Sequence, residues 1–204
     1  MAKMFLSSYF SAVAKKLPGF LGEDCAGKTV SFIPTASKVE KMDFFVAGAI
    51  KAFKKLGMEV DELDLSLMSH EELAQRIAAN DYIYISGGNT FYLLQELIKS
   101  GADTLIKDAI AKGKVYIGES AGSAIMAKNI EYAKLMDDPA KAPELVSFDS
   151  LGLIDFYPVP HQGNFPFKKA VEKVLLEYGS LLDLRPFHNK QFIAIDGETV
   201  AIQE

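Results

Sequence analysis

Gly118-Glu119-Ser120-Ala121-Gly122 places a hydroxyl between two glycines at the end of an apolar stretch, Lys114 to Ile117. This G-x-S-x-G spacing suits a sharp strand-to-helix turn that lifts a serine above a sheet, because side chains at either glycine would collide with the neighbouring backbone. A serine in such a turn has the next residue's N–H and the helix N-terminus ready for a developing oxyanion, so Ser120 is the candidate nucleophile. The same turn could instead cradle an anion, with Ser120 donating only a hydrogen bond.

A neutral hydroxyl is a weak nucleophile and needs a base, with a third group to orient that base. The chain has three histidines. His70 falls in the first turn of a helix and His188 in the turn Phe187-His188-Asn189-Lys190, whereas His161 follows a strand end within Pro160-His161-Gln162-Gly163-Asn164. His161 is therefore the expected base. The carboxylate behind it is expected at Asp137 or Asp138, with Glu119 a third candidate that points away as the nucleophile's neighbour. Gly88 and Asn89 can offer backbone N–H groups across from Ala121, and Gly88 with Ala121 is the expected oxyanion pair. Asn89, Thr90, Glu119 and Gln162 are assigned to substrate binding.

These residues must be carried by regular elements. Strand patterns occur at Met4-Phe5-Leu6, Thr29 to Pro34, Met58 to Leu65, Asp81 to Ser86, Lys114 to Ile117 and Leu153 to Val159. Helical periodicity covers about Ser11 to Leu17 (stopping near Pro18-Gly19), Met42 to Leu56, Ser69 to Ala79, Thr90 to Lys99, Thr104 to Lys112 and Phe167 to Tyr178. Gln191 to Ile195, the turn Asp196-Gly197 and Thr199 to Ile202 read as a hairpin. Alternating strands and helices predict an α/β fold, a three-layer sandwich with a mainly parallel sheet. In such sheets reactive groups collect at the carboxyl ends of strands, so Gly87-Gly88-Asn89 and Gly118 to Gly122 should share one edge.

The 204 residues are expected to form a single domain, 1–204. Hydrophobic residues at 49% and charged residues at 24% are ordinary globular composition. A net charge of −5 without clustered Lys and Arg argues against nucleic acid. No stretch has the length and apolarity of a membrane span; Ala12-Val13-Ala14 resembles a cleavage site, but Ser7, Ser8 and Tyr9 interrupt the apolar run and only Lys3 precedes it, so no signal peptide is expected. The single cysteine, Cys25, supports neither an internal disulfide nor a zinc site and fits a reducing cytoplasm. The expectation is a cytoplasmic protein with a small peptide substrate, no cofactor, no metal, and a homodimer left open.

Gly87-Gly88-Asn89-Thr90-Phe91, Tyr116 to Gly122, Asp137-Asp138-Pro139 and Pro160-His161 resemble the ordered motifs of peptidase family S51, which includes aspartyl dipeptidase (peptidase E) and cyanophycinase. The resemblance implies a fold like that of class I glutamine amidotransferases with serine in place of cysteine. It implies a Ser-His-acid triad of Ser120, His161 and Asp137 or Asp138, with oxyanion donors at Gly88 and Ala121 and no metal. Two departures matter. A glutamate proposed as triad acid in peptidase E has no counterpart in Pro186-Phe187-His188-Asn189-Lys190. Gln162 to Ala170 lacks the arginine expected to hold an aspartyl side chain, offering only Lys168 and Lys169, which have no guanidinium fork. Strict Asp-X specificity is therefore not expected. The activity expected is that of a serine-type, dipeptidase-like peptidase; a non-catalytic binding domain on this fold and a hydrolase of other amides are the alternatives.

Overall fold

The computed structural model describes residues 2–204. In chain order it contains β1 (Lys3–Ser7), α1 (Phe10–Val13), α2 (Leu17–Leu21), β2 (Thr29–Ile33), α3 (Phe44–Lys55), β3 (Glu59–Glu62), α4 (His70–Ala79), β4 (Tyr82–Ile85), α5 (Thr90–Ser100), α6 (Ala102–Ala111), β5 (Val115–Glu119) and α7 (Ala121–Ala124). Then follow β6 (Tyr157–Val159), α8 (Lys168–Tyr178), β7 (Leu184–Pro186), β8 (Phe192–Asp196) and β9 (Thr199–Gln203). Seven strands form one sheet in the order β3-β2-β4-β5-β1-β8-β9, and β6 pairs with β7 separately. The first five are mutually parallel; β8 runs antiparallel to β1, and β9 antiparallel to β8.

Period-two alternation along the strands builds two cores. Met4, Leu6, Ile83, Ile85, Tyr116 and Ile193 face α4 to α7. Their sequence neighbours Phe5, Tyr82, Tyr84, Ile117 and Phe192 face α1 to α3. Burial on both faces is what makes these strands read as continuous apolar runs. α8 lies apart, packing Val171 and Val174 against Tyr132 and Val159.

Three boundaries differ from the sequence pattern. The chain remains helical across Pro18-Gly19, because Pro18 occupies the first turn of α2, where its missing N–H has no partner to lose; Gly22, at φ 76°, ends the helix. The strand expected over 153–159 is confined to Tyr157–Val159, since Leu153 and Ile154 instead turn their N–H groups to Met126 O. The strand expected over Met58 to Leu65 is confined to Glu59–Glu62, the stretch that pairs with β2. The geometry that positions the site is as expected: β4 and β5 are parallel neighbours, and their glycine-rich ends emerge at one edge.

Candidate active site

β5 ends at Glu119 and the chain turns into α7 through Ser120, whose backbone is at φ 49° and ψ −107°. A Cβ on Gly118 would lie 2.6 Å from the Gly122 carbonyl oxygen, and one on Gly122 would lie 2.2 Å from the Ile85 carbonyl oxygen. Both positions therefore exclude any side chain, as the motif requires. The strained conformation is over-determined by its surroundings. Ser120 N–H donates to Ser7 O at 2.9 Å, Ser123 Oγ donates to the same oxygen at 2.8 Å, and Ser123 and Ala124 N–H both return to Ser120 O at 2.9 Å. No side chain caps α7, so the Ala121 N–H finds no acceptor among the described residues.

His161 is delivered by β6 and held at φ 66°. Ser120 and His161 are the two non-glycine residues with positive φ among those described, and they face each other: Ser120 Oγ lies 2.8 Å from His161 Nε2. His161 is fixed from three sides. Its backbone N–H donates to Ser8 Oγ at 2.7 Å, Phe167 stacks on the ring at 4.5 Å between centroids, and Nδ1 lies 2.8 Å from Asn189 Oδ1. Ser8 Oγ donates to the same Asn189 oxygen at 2.8 Å, and Asn189 N–H is anchored on Asn164 Oδ1 at 3.0 Å. An amide oxygen at Nδ1 calls for a proton there, which leaves Nε2 as the acceptor for the Ser120 hydroxyl. Burial pushes the His161 pKa below its usual value, against a smaller upward pull from Asn189, so the ring is neutral at neutral pH.

The sequence model of peptidase family S51 matches residues 2–203. The chain belongs to peptidase family S51. It is 48% identical over 203 residues to an uncharacterized peptidase of Pasteurella multocida strain Pm70, covering 100% of this chain and 98% of that one. It is 37% identical over 135 residues to peptidase E of Shewanella baltica strain OS155, a match covering 66% of this chain and 53% of that one. A crystal structure from Listeria monocytogenes EGD-e, provisionally described as a peptidase E protein, superposes with a TM-score of 0.95 at 44% identity, covering 100% of this chain and 98% of the other. As an S51 member the protein is a serine-type hydrolase. Among the described residues no helix is long and apolar enough to cross a membrane.

In this S51 chain, neither aspartate expected behind the histidine is there. Asp137 instead accepts from the Thr90 N–H at 3.0 Å and from the Thr90 hydroxyl, and burial pushes its pKa up to about 6 despite those bonds. Asp138 is exposed, accepts from Ala140 N–H at 3.0 Å, and holds the Asn89 amide through its own carbonyl. Both aspartates line the cleft of about 640 Å³ that opens over Ser120 and His161, without reaching the imidazole. Glu119 is turned to the far side, where it accepts from Phe10 N–H at 2.8 Å and from the Tyr84 hydroxyl; burial raises it to about 7 against these donors. With its carboxylate so committed, Glu119 cannot offer it to a substrate.

Two further residues expected to bind substrate do not line the cleft. Asn89 is buried and caps α5, accepting from Tyr92 N–H at 2.9 Å. Gln162 is exposed outside the cleft, with its N–H on Phe187 O at 3.1 Å. Thr90 does line the cleft, beside Asp137. Gly88 lies at φ 134°, where a Cβ would come within 2.1 Å of Ala36 O, and its N–H also finds no acceptor among the described residues. Among those residues no three His, Cys, Asp or Glu side chains are grouped to hold a metal ion.

Asn189 and Ser8 are the residues that sequence reasoning missed. The segment Pro186 to Lys190 was the right place to look, but a search for a carboxylate passes over an amide. Ser8 carried no motif signal; its position follows from β1 lying between β5 and β8.

Proposed function

We propose that this protein is a serine peptidase of small peptides working through Ser120, His161 and Asn189. The observation that carries the reading is the 2.8 Å contact between Ser120 Oγ and His161 Nε2, with Asn189 at the opposite ring nitrogen. Ser120 Oγ attacks the scissile carbonyl carbon while its proton passes to His161 Nε2. The carbonyl oxygen, now negative, is received by the N–H groups of Gly88 and Ala121, which have no other acceptor among the described residues. Collapse breaks the C–N bond, and the leaving amine takes the proton from Nε2. A water molecule then repeats the sequence in reverse order of roles: His161 removes its proton, the hydroxide oxygen joins the acyl carbon, and Ser120 leaves with the proton returned.

Asn189 keeps the productive tautomer without adding a negative charge. That is the difference from an acid in the same place: the imidazolium formed during attack is oriented but not ion-paired. We assign the enzyme to the cytoplasm, in keeping with a lone cysteine that is buried and whose pKa is raised by burial; cell fractionation checks this.

A fluorophosphonate probe tests the chemistry, because only an activated serine displaces fluoride from phosphorus. Labelling confined to Ser120 and lost in Ser120→Ala is expected, together with hydrolysis of dipeptides by the unmodified enzyme. An unlabelled Ser120 would overturn the reading in favour of a turn that merely binds an anion.

A further inference from the structure

We infer that the cleft selects peptides whose acyl-donating residue, the one bearing the scissile carbonyl, carries a large apolar or aromatic side chain. The inference rests on the peptidase reading above and adds its substrate class. Of the 14 phenylalanines, Phe44 and Phe165 are the exposed ones, at 63% and 94%, and both line the cleft over Ser120. Leaving aromatic rings in water is unfavourable, and concentrating them at a pocket mouth marks a binding surface.

The aromatic surface is continuous with the reacting groups. The position a Cβ would take on Gly87 lies 3.3 Å from Ser120 Cβ and 3.7 Å from the edge of the Phe45 ring, so Phe45 flanks the serine. Phe45 meets Phe44 edge-on at 5.9 Å, which carries the wall outward to the rim. On the other side Phe167 stacks on His161, and Phe165 stands at the mouth. A side chain attached next to the scissile carbonyl therefore enters between aromatic faces.

The charges in the cleft disfavour an acidic side chain. Glu40, Asp137 and Asp138 all line it, and Lys141 is already engaged with Glu40 and with the Val39 carbonyl, each at 2.9 Å. Only two arginines exist in the chain. Arg76 is bound to Asp61 and Arg185 to Asp183, both away from the cleft. The remaining cation is Lys41, a single exposed ammonium on a flexible stem.

The test is steady-state hydrolysis of the matched dipeptides Phe-Leu, Leu-Leu, Ala-Leu and Asp-Leu by the wild-type enzyme and by Phe44→Ala and Phe165→Ala, with Ser120 labelling run alongside. Phe-Leu and Leu-Leu are expected to exceed Ala-Leu and Asp-Leu in kcat/KM by roughly tenfold or more. The two variants are expected to narrow the Phe-Leu to Ala-Leu ratio severalfold, through KM rather than kcat. Both side chains stand outside the core, so truncating them spares folding, and circular dichroism verifies this. Asp-Leu cleaved as fast as Phe-Leu, or a ratio unmoved in both variants, would overturn the specificity while leaving the peptidase intact. If Ser120 labels and none of the four dipeptides is cleaved, the peptide reading itself falls and the specificity with it.

Discussion

β4 and β5 run side by side and leave the sheet at the same edge, yet they enter their helices differently. At the end of β4, Asn89 has an extended backbone and its side chain accepts from Tyr92 N–H, so the start of α5 is capped in the ordinary way. At the end of β5, Ser120 occupies the capping position of α7 with a strained backbone and caps nothing. Its hydroxyl is turned to His161 instead. One joint satisfies its helix with a side chain; the other leaves helix N–H groups and a hydroxyl available to a ligand. The contrast separates a turn whose side chain serves its own helix from one whose side chain faces a histidine, although both are glycine-rich.

The largest expected effect comes from removing the hydroxyl of the reactive joint. Ser120→Ala should lower kcat by about a thousandfold or more with the fold retained, measured on the dipeptide cleaved best. Retention of near-normal rate would erase the functional side of the contrast. Truncating the support of His161 is next. Asn189→Ala should lower kcat on the order of tenfold to a hundredfold, because the ring loses its tautomer and orientation. Asn189→Asp should raise the His161 pKa, since an adjacent carboxylate favours imidazolium. The acid limb of the kcat/KM profile should then move to higher pH than in the wild type, where burial lowers the His161 pKa.

Ser8 was invisible to motif reading for the same reason that Asn189 was: a triad search looks for charge, while here the support is a hydroxyl and an amide brought together across the molecule. Local signals served better. Gly118 and Gly122 were legible because tight approach admits no other residue, and His161 because a rigid strand end preceded it. Asp137 and Asp138 lie in the right cleft but bind Thr90 and a helical turn, which only the path of the chain after α7 reveals.

Two smaller effects concern stability. Ser120→Gly should relieve the positive-φ strain and stabilise the fold by about 1 kcal/mol in urea denaturation, while Asn89→Ala should destabilise it by about the same amount through loss of the α5 cap. If both variants shifted the midpoint in one direction, the distinction between the joints would fail. Below the Ser120 turn, burial pushes the Glu119 pKa up to about 7 from an ordinary 4.5. The native state thus holds a proton that the unfolded chain has released between these values, and stability should fall as pH rises through that window. Glu119→Gln should flatten this slope, as denaturation at about pH 5 and about pH 8 would show.

The first strand lies inside the sheet, between β5 and the late-arriving β8, and the hydroxyl at its exit steadies a histidine encoded 153 positions later. A chain that stops short of residue 189 therefore carries Ser120 and His161 without the amide that orients the ring. Clipping that removes residues 189–204, the last thirteenth or so of the chain, would take away that amide together with β8 and β9, and is expected to lower activity rather than loosen selectivity.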